Sequence, residues 1–293
     1  MPAALLEFSS TPFSMSVACI ALLVIGLLAA KNDIARARGS DKIVALTYVC
    51  FAIPLAAFGA EHLTMGKLMM NMVPSYMPGR LFWVYFVGFA LIAASLSIAT
   101  KIQVKWSGLL FGTMMLLFVA MVHLPGAIST GGRIPWTIVF REMSFGGGGF
   151  VLAGIAMGAR GKSLITLGRL LIAATTIFFS VQHFLHPLAL PGVPLQKEMV
   201  PWIPARALID YLTGVFLIVG GVCFLLNQRM RVAATLLGAW LVLVVVVIYG
   251  PVLFGALQDP NTGVKIEGLN YFADTLLFGG VILSLASTPR ATR

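Results

Sequence analysis

Nine apolar runs, separated by short polar connections, dominate the sequence. Several of them hold about 18 or more residues without a charge, and about 20 apolar residues in a helix cross the hydrocarbon core of a bilayer. The short alternating segments typical of membrane β-barrels are not seen. The pattern predicts an all-α, polytopic membrane helical bundle, with spans at residues 13–30, 43–62, 81–100, 106–123, 136–158, 163–185, 206–226, 232–250 and 267–287.

The composition agrees with a membrane protein. Hydrophobic residues make up 59% of the 293 residues, charged residues only 10%, and the mean hydropathy is +0.97. Soluble domains carry about 25% charged residues. The net charge of +10 is scattered among the connections and forms no patch, so we predict no nucleic-acid partner. The cysteines lie in three different runs without a CxxC motif, so no dithiol, c-type haem or zinc-knuckle motif is visible.

The basic residues predict the orientation. Twelve Lys and Arg follow spans one, three, five, seven and nine, including Arg290 and Arg293 in the tail, whereas six lie in the opposite, longer connections. The positive-inside rule then predicts an outer N-terminus and a cytoplasmic C-terminus in a bacterial-type plasma membrane. No Lys or Arg precedes the first run, so we expect a retained span and not a cleaved signal peptide.

Ionisable residues inside the spans concentrate at one depth. With this topology they fall toward the outer ends of their helices, and nothing comparable lies toward the inner side. Because charges inside a bilayer are costly, such residues point to a functional site. The set is Glu61, His62, His123, Arg141, Glu142, His183, Asp210 and Asp274.

The chain also contains an internal repeat. The stretch "VPSYMPGRLFWVYFVGFALI" (73–92) resembles "VPWIPARALIDYLTGVFLI" (200–218), and an offset of 126 residues continues beyond both. The matched positions are Pro78 with Pro204, Arg80 with Arg206, Tyr85 with Tyr211, Gly88 with Gly214, His123 with Tyr249, and Pro125 with Pro251. Upstream, after a loop-length difference, His62 matches His183; downstream, with a small gap, Glu142 matches Asp274.

We therefore divide the chain into an N-terminal helix with its basic loop (1–42), a first four-helix unit (43–160) and a second one (161–293). An even number of spans per unit keeps both units in the same orientation. The repeats should then be parallel and related by a pseudo-twofold axis along the membrane normal.

The order of motifs in each unit resembles the DoxX/DoxD-like membrane proteins. The first helix ends in "FGAEHL" or "FSVQHF", a loop with "VP" and a second proline follows, and the last helix carries an acid before glycines. Positions that recur in that family fall on His62, Pro74, Pro78, Glu142, His183, Pro201, Pro204 and Asp274. The resemblance implies a four-helix membrane fold. Because the family includes subunits of a thiosulfate:quinone oxidoreductase, it also implies a quinone-linked redox setting with a partner protein.

The candidate site residues follow from both lines of reasoning. Glu61 has only Gln182 as its counterpart, so Glu61 and His62 are the candidates for proton chemistry, in the first unit. The candidates for contacting a quinone are His62, His183, Glu142, Asp274, Tyr85 and Tyr211. The alternatives are that the histidines anchor helix ends at the interface and that the acids tie helices together. A haem b bound by the histidines is disfavoured, and no metal site is predicted.

Three hypotheses of function remain open at this point. The first is a plasma-membrane redox subunit that binds a quinone in the outer leaflet and docks a partner on the outer face. The second is a carrier of a small hydrophobic or acidic solute, which parallel repeats also support. The third is a membrane scaffold without a ligand.

Overall fold

The computed structural model describes the backbone of residues 2–288 and the side chains of residues 10–288. This part of the chain contains no β-strand, and the predicted all-α helical bundle is confirmed. Its nine long helices are α1 (Pro2–Arg36), α2 (Thr47–Thr64), α3 (Arg80–Thr100), α4 (Val104–Thr130), α5 (Arg133–Met157), α6 (Lys162–Leu185), α7 (Arg206–Leu225), α8 (Met230–Gln258) and α9 (Thr262–Ala286). The tail arginines of the predicted topology lie outside the described residues.

The helices have the composition of membrane spans. Within residues 2–288, eight apolar helical stretches are long enough to cross a membrane, and one of them, Arg133–Leu185, holds both α5 and α6 across the turn Gly158–Gly161. Large apolar side chains cover the outside of the bundle, among them Phe82 and Phe89 on α3 and Leu243 on α8. A soluble protein rarely exposes apolar surface on this scale. The chain has the architecture of a multi-pass membrane protein.

Helices α4 and α8 are longer than predicted, because each continues through a proline. A π-helical turn, Val119–His123 in α4 and Val245–Tyr249 in α8, precedes a last α-helical segment with proline at its start. Proline lacks an N–H and is tolerated at the first turn of a helical segment. The two π-turns lie 126 residues apart, the offset found in the sequence.

The packing follows the predicted pseudo-twofold arrangement. Helix α2, the first of unit one, packs on α3 and on α9, the last of unit two. Helix α6, the first of unit two, packs on α7 and on α5, the last of unit one. Helices α5 and α9 also pack on each other, so each unit closes its bundle with a helix of the other.

The glycines of α5 and α9 show which residues of the two units are structurally equivalent. A Cβ on Gly146 would meet Met115 of α4, and a Cβ on Gly279 would meet Leu241, the equivalent residue of α8. Residues Phe145–Gly147 therefore correspond to Phe278–Gly280. In this register Arg141 is structurally equivalent to Asp274, and Glu142 is equivalent to Thr275. The sequence alignment of Glu142 with Asp274 was therefore wrong by one position. The small gap allowed in an apolar stretch left that register undetermined.

Candidate functional site: a cavity with a buried polar wall

A cavity of about 600 Å³ lies in the first unit, among α2, α3, α4, α5 and α9. Most of its wall is apolar, with side chains of high flexibility: Met65, Met69, Met72, Met77, Met114, Met115 and Met121. Methionine adapts its shape to irregular apolar ligands. The volume lies within the range of sites for small molecules.

The cavity reaches the apolar outside of the bundle. Phe86 of α3 and Leu117 of α4 both line it, and each is 51% exposed. Phe86 is six residues into its helix, about 9 Å along the axis from the predicted outer end. The opening therefore faces the lipid at the predicted outer leaflet.

Arg141 organises the polar wall. Its Nη2 donates to Oε1 of Glu142 at 2.7 Å, and its Nη1 donates to Oδ2 of Asp274, also at 2.7 Å. Arg141 and Glu142 are adjacent on α5, where neighbouring side chains point about 100° apart. The long arginine side chain turns back far enough for its guanidinium to reach both carboxylates.

Two residues of the helix end "FGAEHL" join this wall. Glu61 is 9% exposed and accepts a hydrogen bond from Nδ2 of Asn270 at 2.9 Å. His62 Nδ1 lies 2.8 Å from the carbonyl oxygen of Phe58, one turn earlier. Because a carbonyl only accepts, Nδ1 carries the proton, and Nε2 of the neutral ring is left as an acceptor. His123 lines the same cavity from the end of the π-turn in α4.

The polar wall holds more carboxylates than cations. One guanidinium, that of Arg141, faces the carboxylates of Glu61, Glu142 and Asp274 around one cavity. An excess of buried negative charge at membrane depth is costly unless it is paired or hydrogen-bonded. Asp274 is the thirteenth of the 25 residues of α9, so it lies at mid-helix and not at the outer end as predicted.

The second unit has a different arrangement around its histidine. His183 and Asp210 are both fully buried, and Nδ1 of His183 lies 2.6 Å from Oδ1 of Asp210. Asp210 lies about one turn into α7, and its side chain is directed toward His183 of α6. The contact with the imidazole offsets part of the free-energy cost of burying the Asp210 carboxylate.

The space in the second unit that corresponds to the cavity is filled by the chain itself. Residues 189–195, here called the plug, are all buried. A short hairpin holds the plug, since Leu190 N–H donates to the Lys197 carbonyl at 3.0 Å and Ala189 bridges Glu198. Arg133 of the first unit donates to the carbonyl of Pro194 at 2.8 Å. The connection at residues 65–79 of the first unit has no such buried run and forms the rim of the open cavity.

The plug contacts the residues that match the cavity histidines. Gly192 donates its N–H to Nε2 of His183 at 3.3 Å, and its carbonyl oxygen is also 3.3 Å from that nitrogen. The Tyr249 hydroxyl donates to the Pro191 carbonyl at 3.0 Å. Gly192 has φ +109°, and a Cβ there would approach the Thr275 side chain to 2.7 Å, so only glycine fits.

The structure brings together four of the predicted site residues and separates the others. Glu61, His62, Glu142 and Asp274 line the one cavity. His183 lies against the plug, Tyr85 packs on Gly66, and Tyr211 is 42% exposed and stacks on Phe184. These three lie outside the cavity, because the pairing of units in the sequence says nothing about the plug or about which face of a helix is covered.

Sequence reasoning missed three features of the cavity. It did not place Asn270 in the site, it did not pair Arg141 with the carboxylates of Glu142 and Asp274, and it gave the methionines no part. The methionine-rich connection "MGKLMMNMVPSYMP" (65–78) was a usable signal for a flexible apolar wall.

Comparison with protein-family models, curated proteins and solved structures gives no significant match. The resemblance to DoxX/DoxD-like proteins stays a prediction from the motifs. The function is therefore argued from the cavity and its polar wall.

Proposed function

We propose that this protein is the membrane subunit of a quinone-linked redox system, with its quinone site in the cavity of the first unit. The main observation in support is a single cavity that combines an apolar opening toward lipid with a polar wall of carboxylates and imidazoles. The predicted topology puts this site in the outer leaflet of a bacterial plasma membrane.

The apolar part of the cavity suits the body of a quinone. Its methionines and the aromatic side chains Phe111, Phe118 and Phe145 offer contacts to a ring and an isoprenoid tail. A ligand that arrives through the bilayer enters between Phe86 and Leu117 without crossing a polar surface. The polar head of the ligand then meets His62 and His123.

The polar wall suits the proton side of quinone chemistry. Reduction of a quinone to a quinol takes up two electrons and two protons, and oxidation releases them. Glu61 and Glu142 line the cavity beside the imidazoles and supply exchangeable proton sites. The electrons would pass to or from a partner docked on the outer face, as the DoxX/DoxD resemblance implies.

Quinone binding is tested with the full chain in detergent, by titrating decylubiquinone against tryptophan fluorescence and by mass spectrometry of co-purified lipids. Trp83 lines the cavity and serves as the reporter. The blocking variant is Met114→Trp, because Met114 faces the cavity. Its matched control is Thr113→Trp, one residue earlier and exposed on the outside of α4.

We expect saturable quenching in the wild type and at least a tenfold loss of affinity in Met114→Trp, with Thr113→Trp close to wild type. The proposal fails if neither decylubiquinone nor decylubiquinol binds and no quinone co-purifies. It also fails if both tryptophan variants bind like the wild type. A co-purified small acid in place of a quinone would favour a solute carrier, and the absence of any ligand would favour a scaffold.

A further inference from the structure

The second unit provides an internal comparison for the cavity of the first. His183 and Tyr249 occupy the positions of His62 and His123, each histidine two residues before the end of its helix and each partner at the end of a π-turn. The plug fills the space that is open in the first unit. The contacts of the plug therefore show which hydrogen-bonding groups are bound at these two positions.

The plug presents one planar group to this pair of residues. The Pro191 carbonyl accepts from Tyr249, and the N–H of Gly192, which belongs to the same peptide unit, donates to His183. This peptide group is planar, with a hydrogen-bond acceptor on one edge and a donor on the other. Nδ1 of His183 lies 2.6 Å from the Asp210 carboxylate and carries the proton, so Nε2 of the neutral ring accepts from Gly192. The histidine position therefore binds a donor, and the π-turn position faces an acceptor.

The first unit repeats these roles with different side chains. The bond from His62 Nδ1 to the Phe58 carbonyl leaves Nε2 as an acceptor, as in His183. His123 stands where Tyr249 donates, and an imidazole N–H can donate in the same way. A ligand between them needs a hydroxyl toward His62 and an accepting oxygen toward His123.

We infer that this cavity recognises a planar lipophilic ring with oxygens on opposite edges through His62 and His123, and that it prefers a hydroquinone to the corresponding quinone. This inference rests on the proposed function and specifies its ligand. A quinone carries only acceptors and would place one of them against the unprotonated Nε2 of His62. A hydroquinone donates one hydroxyl there and accepts at its other oxygen from His123.

The same comparison assigns the second unit a closed site. Seven consecutive residues fill it, Arg133 binds the carbonyls of Pro194 and Leu195, and the Lys197 N–H donates to the Tyr271 hydroxyl. His183 is fully buried by the plug and cannot reach a ligand. Of these two equivalent sites in the described part of the chain, one is open to a ligand and the other is occupied by the chain's own backbone.

The experiment compares decylubiquinol with decylubiquinone on the same detergent-solubilised full chain, without oxygen, by calorimetry and tryptophan quenching. We expect the quinol to bind about tenfold more tightly, the gain of one hydrogen bond over an acceptor–acceptor contact. Two substitutions of one residue form the matched pair. His123→Tyr restores the donor found in the second unit and keeps quinol affinity, whereas His123→Phe lacks the donor and loses about tenfold.

Tyr249→Phe is the control in the closed site and leaves quinol affinity unchanged. Equal affinity of the wild type for the two redox forms overturns the inference, even if the variants fail to fold. Indistinguishable binding by His123→Tyr and His123→Phe, with both folded, also overturns it. In either case the proposed quinone site stands. If neither redox form binds the wild type, the proposed function itself fails.

Discussion

Removal of the Arg141 guanidinium tests whether the polar wall holds the two units together. In Arg141→Met the carboxylates of Glu142 and Asp274, with side chains 9% and 5% exposed, lose their shared cation. Breaking a buried ion pair from one side costs about 3–5 kcal/mol, because a charge stays buried without a partner. For a chain of this size that corresponds to a fall in Tm of about 6–10 °C.

The matched control is Arg231→Met. Arg231 pairs with Asp41 at 2.9 Å, but the two side chains are 37% and 52% exposed. Exposed pairs contribute about 0–1 kcal/mol, so the control should fall by no more than about 2 °C. Both variants are measured by thermal unfolding in the same detergent, with size-exclusion chromatography to establish folding.

A double variant separates charge from packing. Arg141→Met combined with Asp274→Asn removes the unpaired aspartate charge, and we expect it to recover part of the lost stability. A coupling energy of about 1–3 kcal/mol between the two positions would follow from their direct contact. The reasoning is refuted if Arg141→Met is as stable as Arg231→Met, or if the double variant loses the sum of the single losses.

Two further substitutions address the closed site of the second unit. Gly192→Ala should lower stability by about 1–3 kcal/mol, because φ is +109° and the new Cβ would clash with Thr275. The control Gly255→Ala has open space around the new Cβ, so it should be neutral or slightly stabilising in the same unfolding assay. Asp210→Asn should also lower stability, by about 1–2 kcal/mol, because a neutral amide replaces the carboxylate that lies 2.6 Å from the buried His183 ring. Decylubiquinol affinity of Asp210→Asn should equal that of the wild type, and a loss of affinity would contradict the assignment of a closed site.

The helical bundle could be predicted because its main determinant is local. An uninterrupted apolar run of about 20 residues has few alternatives to a membrane helix. The repeat was also readable, because prolines, glycines and histidines recur at a constant offset through Pro125 and Pro251. The structure adds the physical meaning of that offset, since each proline follows a π-turn.

The polar wall could be predicted only in part. Glu61, His62, Glu142 and Asp274 were expected near one another because they are costly at membrane depth. The pairing of Arg141 with Asp274 depends on the register between α5 and α9, which apolar sequence does not determine. The plug was not foreseen either, because it lies in a connection between two predicted spans and its burial depends on a space left by helices distant in sequence.

The register between the units also bears on why both are in one chain. Arg141 and Asp274 are equivalent positions, and they meet each other near the pseudo-twofold axis. In a symmetric dimer of identical four-helix subunits, a residue at such a position faces its own copy. Two arginines or two aspartates would then repel each other at membrane depth.

Fusion of the two units into one chain removes that restriction. It permits opposite charges at equivalent positions, and it permits one cavity to stay open while the other is filled by its own connection. The closed unit still contributes to the open site, because Asn270 and Asp274 of α9 line the cavity of the first unit. The first four-helix unit alone would lack the hydrogen-bond donor of Glu61 and one carboxylate of the wall. The asymmetry of the two units is therefore what builds the polar wall.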